Sequence, residues 1–137
     1  GDWFHLFPEG RVAYPELWQV NDIGPLKWGV GRLIVDTYRR TGNAPKVVPL
    51  VHRGMHINLP RHEECYAIPL PRVPIRILVG DPVDVTHLLE AHIRGIESNP
   101  GWGDPFPPPD ETAYERVAEA VHSAMKDLQR EMDEIII

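Results

Sequence analysis

A carboxylate, a glycine and a guanidinium follow one another at Glu9, Gly10 and Arg11, directly after Phe7-Pro8. A carboxylate in a tight turn accepts hydrogen bonds from a polyol, the glycine lets a ligand approach the backbone, and the arginine can meet a phosphate. Further along, Lys27 and Arg32 flank the glycines Gly29 and Gly31, and both cations suit anionic headgroups. The glycines lack the G-x-G-x-x-G spacing of a phosphate-binding loop, and no strand runs into them. Two glycines inside a helix cost about 1 kcal/mol each relative to alanine, so close packing is their expected use.

A loop opening at His52, Arg53 and Gly54 also holds Met55, His56 and His62, with Glu63, Glu64 and Cys65 nearby. None of these shows a standard metal-site spacing, so no metal ion and no cofactor is expected. One cysteine in 137 residues excludes an internal disulfide. The formal net charge of −6 excludes a nucleic-acid binder. That charge is unevenly spread. From Lys27 to Arg61 seven basic residues face a single acid, Asp36, whereas from Asp110 to Glu134 acids outnumber bases. Two readings stay open: a face that meets phosphate or anionic lipid, or two solvated surfaces of unlike sign.

These groups need elements to position them. Trp3 to Phe7 reads as a short buried strand ended by Pro8 and Gly10, which would set Glu9 at a strand's C-terminal end, where open α/β sheets bind ligands. Leu26, Val30, Leu33, Ile34 and Tyr38 fall at helical spacing, so a helix is predicted over 25–40, with Pro25 in its first turn, Asn21 or Asp22 as cap, and Gly42-Asn43 as its stop. Val47 to Val51 reads as a second strand, with Pro49 arguing for an edge or bulge, and Ile75 to Val79 as a third. Apolar strands without alternation, separated by a helix, predict an α/β fold with a mixed, mostly parallel sheet covered on both faces. Asp84 or Thr86 can cap a helix to about Glu97, and residues 98–109 form a Pro/Gly loop whose Trp102 and Phe106 either dip into a bilayer surface or pack on the domain. From Asp110, apolar positions Tyr114, Val117, Ala118, Val121, Met125, Leu128, Met132 and Ile135 predict a long amphipathic helix. No run is apolar enough to cross a membrane. The chain opens without Met, in strand-like residues, as expected of a polypeptide entered in mid-domain.

Four blocks occur in order: His5-Leu6-Phe7-Pro8-Glu9-Gly10-Arg11-Val12, then Leu26 to Ile34 (LKWGVGRLI), then Pro49 to Met55 (PLVHRGM), then Val79-Gly80-Asp81-Pro82. This series resembles the tafazzin branch of the glycerophospholipid acyltransferases, whose members run HxFPEGK(V), KWGIGRLI, PLWHxGM and a strand ending IGxP. The resemblance covers residues 3–82 and implies three segments: the C-terminal half of an acyltransferase domain over 1–97, a linking loop over 98–109 and a C-terminal helix over 110–137. It also implies transfer of an acyl chain between phospholipid and lysophospholipid, as in cardiolipin remodelling, at the mitochondrial inner membrane. The substrate-binding residues it implies are Glu9, Gly10, Arg11, Lys27, Arg32, His52 and Gly54. In the wider superfamily FPEG is followed by Thr and then Arg; here Arg11 and Val12 fill those places, which points away from a small glycerol 3-phosphate acceptor.

The catalytic H-x-x-x-x-D motif of such enzymes lies before FPEG, so no catalytic residue is expected in this chain. The base is expected from the N-terminal half of the domain or from a companion polypeptide. One pair matches the spacing, His122 and Asp127, but it follows FPEG and lies on a helix, where residues five apart do not share a face. The alternative to an enzyme is a non-catalytic, tafazzin-derived subunit of a large mitochondrial membrane complex.

Overall fold

The three-and-four spacing from Tyr114 to Met132 builds the helix on which every other element packs. A computed structural model describes residues 3–10, 23–54, 73–93 and 111–136. They form α1 (Gly29–Thr41), β1 (Leu50–Arg53), β2 (Arg76–Val79), α2 (Thr86–Ile93) and α3 (Glu111–Ile136). The predicted 98–109 loop and the end of the 84–97 helix lie outside the described residues.

One core cluster joins α1 (Val30, Ile34, Val35), α2 with its lead-in (Val85, Leu89) and α3 (Tyr114, Val117, Ala118, Val121). Val35, Val85, Leu89 and Val117 are the most completely enclosed side chains, and each stabilises by about 1.5–3 kcal/mol through removal from water. A second cluster sets Val51 of β1 against Leu128 and Met132 of α3. Asp84 caps α2: the Thr86 amide donates to its carboxylate at 3.0 Å, which holds that carboxyl below the usual range. At the other end of α1, Gly42 adopts φ 69° and returns its N–H to the Tyr38 carbonyl at 2.8 Å, a left-handed stop that glycine takes without steric penalty.

The two helices α1 and α3 meet at Gly31. A β-carbon built there would lie 1.8 Å from the Tyr114 carbonyl oxygen, whereas one on Gly29 meets nothing within 4 Å. Close packing therefore accounts for Gly31 and not for Gly29. Beside this contact lies a buried polar knot. Tyr114 donates its hydroxyl to Asp36 at 3.0 Å, Arg32 bonds the other carboxylate oxygen at 3.3 Å, and Arg39 lies 3.6 Å from the first. Trp28 stacks on Tyr114 at 6.3 Å. A buried carboxylate is tolerable only when its lone pairs are occupied, and here three side chains occupy them.

Burial pushes the Tyr114 hydroxyl above its ordinary value of 10.0, and its bond to Asp36 adds to the shift. A raised folded value means this group's contribution is intact below about pH 10 and is lost as pH rises through the folded value. Thermal melts are expected to show the wild type losing stability in that alkaline window, with the loss reduced in Tyr114→Phe. At neutral pH the same substitution is expected to cost about 1–3 kcal/mol, because the buried Asp36 side chain loses a hydrogen-bond donor.

The sheet departs from expectation. β1 and β2 run antiparallel, pairing Leu50 with Val79, Val51 with Leu78, His52 with Ile77 and Arg53 with Arg76. Among the described residues they form a two-stranded antiparallel ribbon, and a mostly parallel sheet is not supported. Apolar runs report which faces want cover and carry no information on strand direction. Just past β1, Gly54 takes a φ of 89°, and a β-carbon there would stand 2.6 Å from the Pro74 carbonyl, a close approach that favours glycine. Trp3 to Phe7 is not a strand, because no partner strand lies beside it among the described residues. Instead Leu6 reaches the core while Trp3, Phe4 and Phe7 remain exposed. The first helix begins at Gly29, four residues later than predicted, with Trp28 as an N-cap that makes no side-chain capping bond.

Candidate functional site

Phe7 to Gly10 closes as a hydrogen-bonded turn, Gly10 N–H to the Phe7 carbonyl at 3.0 Å. Pro8 fixes the second position of that turn, and Gly10 takes the left-handed φ of 65°. The turn is fastened to the chain that leads into α1. Lys27 donates its backbone N–H to the Pro8 carbonyl at 2.8 Å, and the Glu9 carboxylate accepts the Gly24 N–H at 3.1 Å. Lys27 folds over the glycine: its Cγ lies 3.2 Å from where a β-carbon on Gly10 would stand. A side chain at position 10 would have to displace it.

Behind this turn stands α3. Ile23 donates its N–H to Gln129 at 3.0 Å, and its carbonyl accepts from His122 Nε2 at 3.2 Å, which requires the proton on that nitrogen. Both partners of Ile23 thus come from one helix, and the next residue, Gly24, holds Glu9. Gln129 is buried, so Gln129→Leu would strand the Ile23 N–H. That substitution is expected to cost about 1–3 kcal/mol and to speed hydrogen exchange at Ile23 and Gly24, measured by mass spectrometry.

The structure groups Glu9, Gly10 and Lys27. It engages Arg32 with Asp36, on the knot between α1 and α3. His52 lies on β1 opposite Ile77, half-buried, and Gly54 sits just past the strand. Arg11 lies outside the described residues, as do His56, His62, Glu63, Glu64 and Cys65. Among the described residues no group of three or more His, Cys, Asp or Glu is placed to hold a metal, and no helix is long and apolar enough to cross a membrane. His122 and Asp127 engage different partners: the first meets Ile23, the second pairs with Arg130.

Gln129, His122 and Gly24 were not singled out as parts of the site. Gln129 carried a signal, since it follows Leu128 on a stripe that continues at Met132, and a polar residue there calls for a buried partner. Asp36 carried another as the lone acid in a basic stretch.

No family model and no solved structure matches the chain. Over 95 residues it is 40% identical to a Dictyostelium discoideum protein named Taffazin, covering 68% of this chain and 30% of that protein. Over 98 residues it is 33% identical to an N-acylphosphatidylethanolamine synthase of Arabidopsis thaliana, covering 68% and 32%. Over 136 residues it is 29% identical to Tafazzin of Drosophila melanogaster, covering 98% and 30%. The chain spans about a third of the length of the curated relatives it matches. By its likeness to these relatives the chain is a tafazzin-like glycerophospholipid acyltransferase region.

Proposed function

We propose that this region supplies the acceptor-headgroup side of a phospholipid–lysophospholipid transacylase of tafazzin type, acting in cardiolipin remodelling at the mitochondrial inner membrane. The observation that carries the proposal is the Glu9 turn: a carboxylate fixed by a backbone amide, beside a left-handed glycine over which Lys27 folds. Glu9 accepts hydrogen bonds from the acceptor's glycerol hydroxyls, while Lys27 and Arg11 meet its phosphate. Arg32, His52 and Gly54 are the further substrate-binding residues that the family likeness implies.

The chemistry needs a base, and by family likeness a His–Asp pair provides it from polypeptide outside these residues. That base takes the proton of the acceptor hydroxyl, whose oxygen attacks the ester carbonyl of the donor phospholipid. The tetrahedral intermediate then expels the donor's glycerol oxygen, which recovers the proton, so one ester forms as one breaks and no coenzyme A is required. The name of the plant relative specifies N-acylphosphatidylethanolamine, so an assay must separate hydroxyl from amine acceptors. Labelled diacylphospholipid is incubated with lysophospholipid, or with phosphatidylethanolamine, in the absence of coenzyme A. Label on the lysophospholipid's hydroxyl is the expected result; label on the amine, or none, defeats the proposal.

The competing reading is a tafazzin-derived structural subunit of a large mitochondrial membrane complex; the separate partners of His122 and Asp127 leave both readings standing, since neither residue is expected to act as the base. Native mass spectrometry separates the two, since a subunit co-purifies in fixed ratio with a large assembly.

A further inference from the structure

One peptide group joins α3 to the Glu9 turn. The carbonyl of Ile23 accepts from His122 Nε2 at 3.2 Å, and the Gly24 N–H, part of the same peptide plane, donates to Glu9 at 3.1 Å. A peptide in its usual trans form is planar, with C=O and N–H pointing opposite ways, so fixing one end sets the aim of the other. Ile23 is also held by Gln129, which accepts its N–H at 3.0 Å, and by its side chain, which packs with Val51, Leu128 and Met132. Neither of these holds fixes the plane that follows. That plane turns about the bonds on either side of it, and a glycine at position 24 resists the turn least of any residue. Turned over, it would present an oxygen instead of an N–H to the Glu9 carboxylate.

We infer that His122 is a positioning residue for acyl transfer: by bonding the Ile23 carbonyl it orients the Gly24 amide that sets the Glu9 carboxylate toward the acceptor. The inference rests on the proposed function, which makes Glu9 the group that receives the acceptor. His122 serves as a donor and not as the base, since its Nε2 hydrogen is committed to Ile23. The two bonds run in series through one amide, and each polarises that amide so as to strengthen the other. The backbone of the turn is held separately, by the Lys27 N–H on the Pro8 carbonyl at 2.8 Å. Loss of His122 therefore releases the carboxylate and leaves the turn in place.

The test is a double-mutant cycle in the complete protein, read as acyl exchange without coenzyme A at varied lysophospholipid. His122 is half-buried on a helix that alanine favours, so His122→Ala keeps the fold. It is expected to lower kcat/KM for lysophospholipid roughly 3- to 10-fold, the scale of one hydrogen bond, with KM for the donor phospholipid unchanged. His122→Gln, whose side-chain amide can donate in place of Nε2, should recover most of the loss. In a Glu9→Ala background, His122→Ala should have no further effect. A role in folding alone would lower rate and melting temperature alike whichever residue stands at position 9. Equal losses with and without Glu9, an unaltered rate in His122→Ala, a loss that His122→Gln does not relieve, or a rise in the donor's KM each overturn the inference. Where Glu9→Ala cuts exchange and His122→Ala simply adds to it, this inference falls alone. Where Glu9→Ala leaves exchange unchanged, the proposed function falls and takes this inference with it.

Discussion

Gly31→Val is expected to be the most damaging single substitution in the described residues. A β-carbon at this position collides with the Tyr114 carbonyl at 1.8 Å, and the obstacle is helix backbone, which cannot rotate aside as a side chain can. Relief requires α1 and α3 to separate, which would open the cluster formed by Val30, Ile34, Tyr114 and Val117 and pull Tyr114 from Asp36. Overpacking commonly costs about 1–3 kcal/mol. Here loss of the knot adds to it, so urea denaturation should show a fall of roughly 3 kcal/mol or more. Gly31→Ala is expected to lie between that and wild type. Gly29→Ala is the internal control. It meets nothing within 4 Å, so the helix-propensity gain of up to about 1 kcal/mol is unopposed and stability should hold or rise.

The second large effect is on turnover. Glu9→Ala removes the carboxylate that fixes Gly24 and, in the proposed function, the group that receives the acceptor. Acyl exchange in the complete protein is expected to fall by about 10²-fold or more, the scale on which misplacement of a bound reactant acts. Stability should change far less, since the turn keeps its backbone bonds at Gly10 and Lys27. Glu9→Gln retains an acceptor for the Gly24 amide and should recover part of the rate. A structural role alone would show the reverse: a large shift in melting temperature and exchange restored wherever the protein is folded.

Much of the helical framework was legible in the residues. The stripe from Tyr114 to Met132 is buried as spaced, with Met125 half-buried, and only Ile135 breaks it by standing exposed. Asp84 and Gly42 do at the helix ends what their types dictate. The strands were legible as apolar segments, displaced by up to three residues at β1, where Val47 makes only an isolated bridge to Val83. Their direction was not legible, because an apolar pattern reports which faces want cover and not how two strands run relative to each other. The site was legible as chemistry at Glu9, Gly10 and Lys27, but not as architecture. That α3, more than a hundred residues away, anchors Ile23 through Gln129 is a tertiary fact that local sequence does not encode.

Hydrogen-exchange mass spectrometry of the complete protein, with and without lysophospholipid, tests the central claim most directly. The account expects bound lysophospholipid to slow exchange in the peptides carrying Phe7–Gly10 and Gly24–Trp28, and Glu9→Ala to erase that protection. Protection confined to other segments, with the Glu9 turn exchanging as fast as in the free protein, would contradict it.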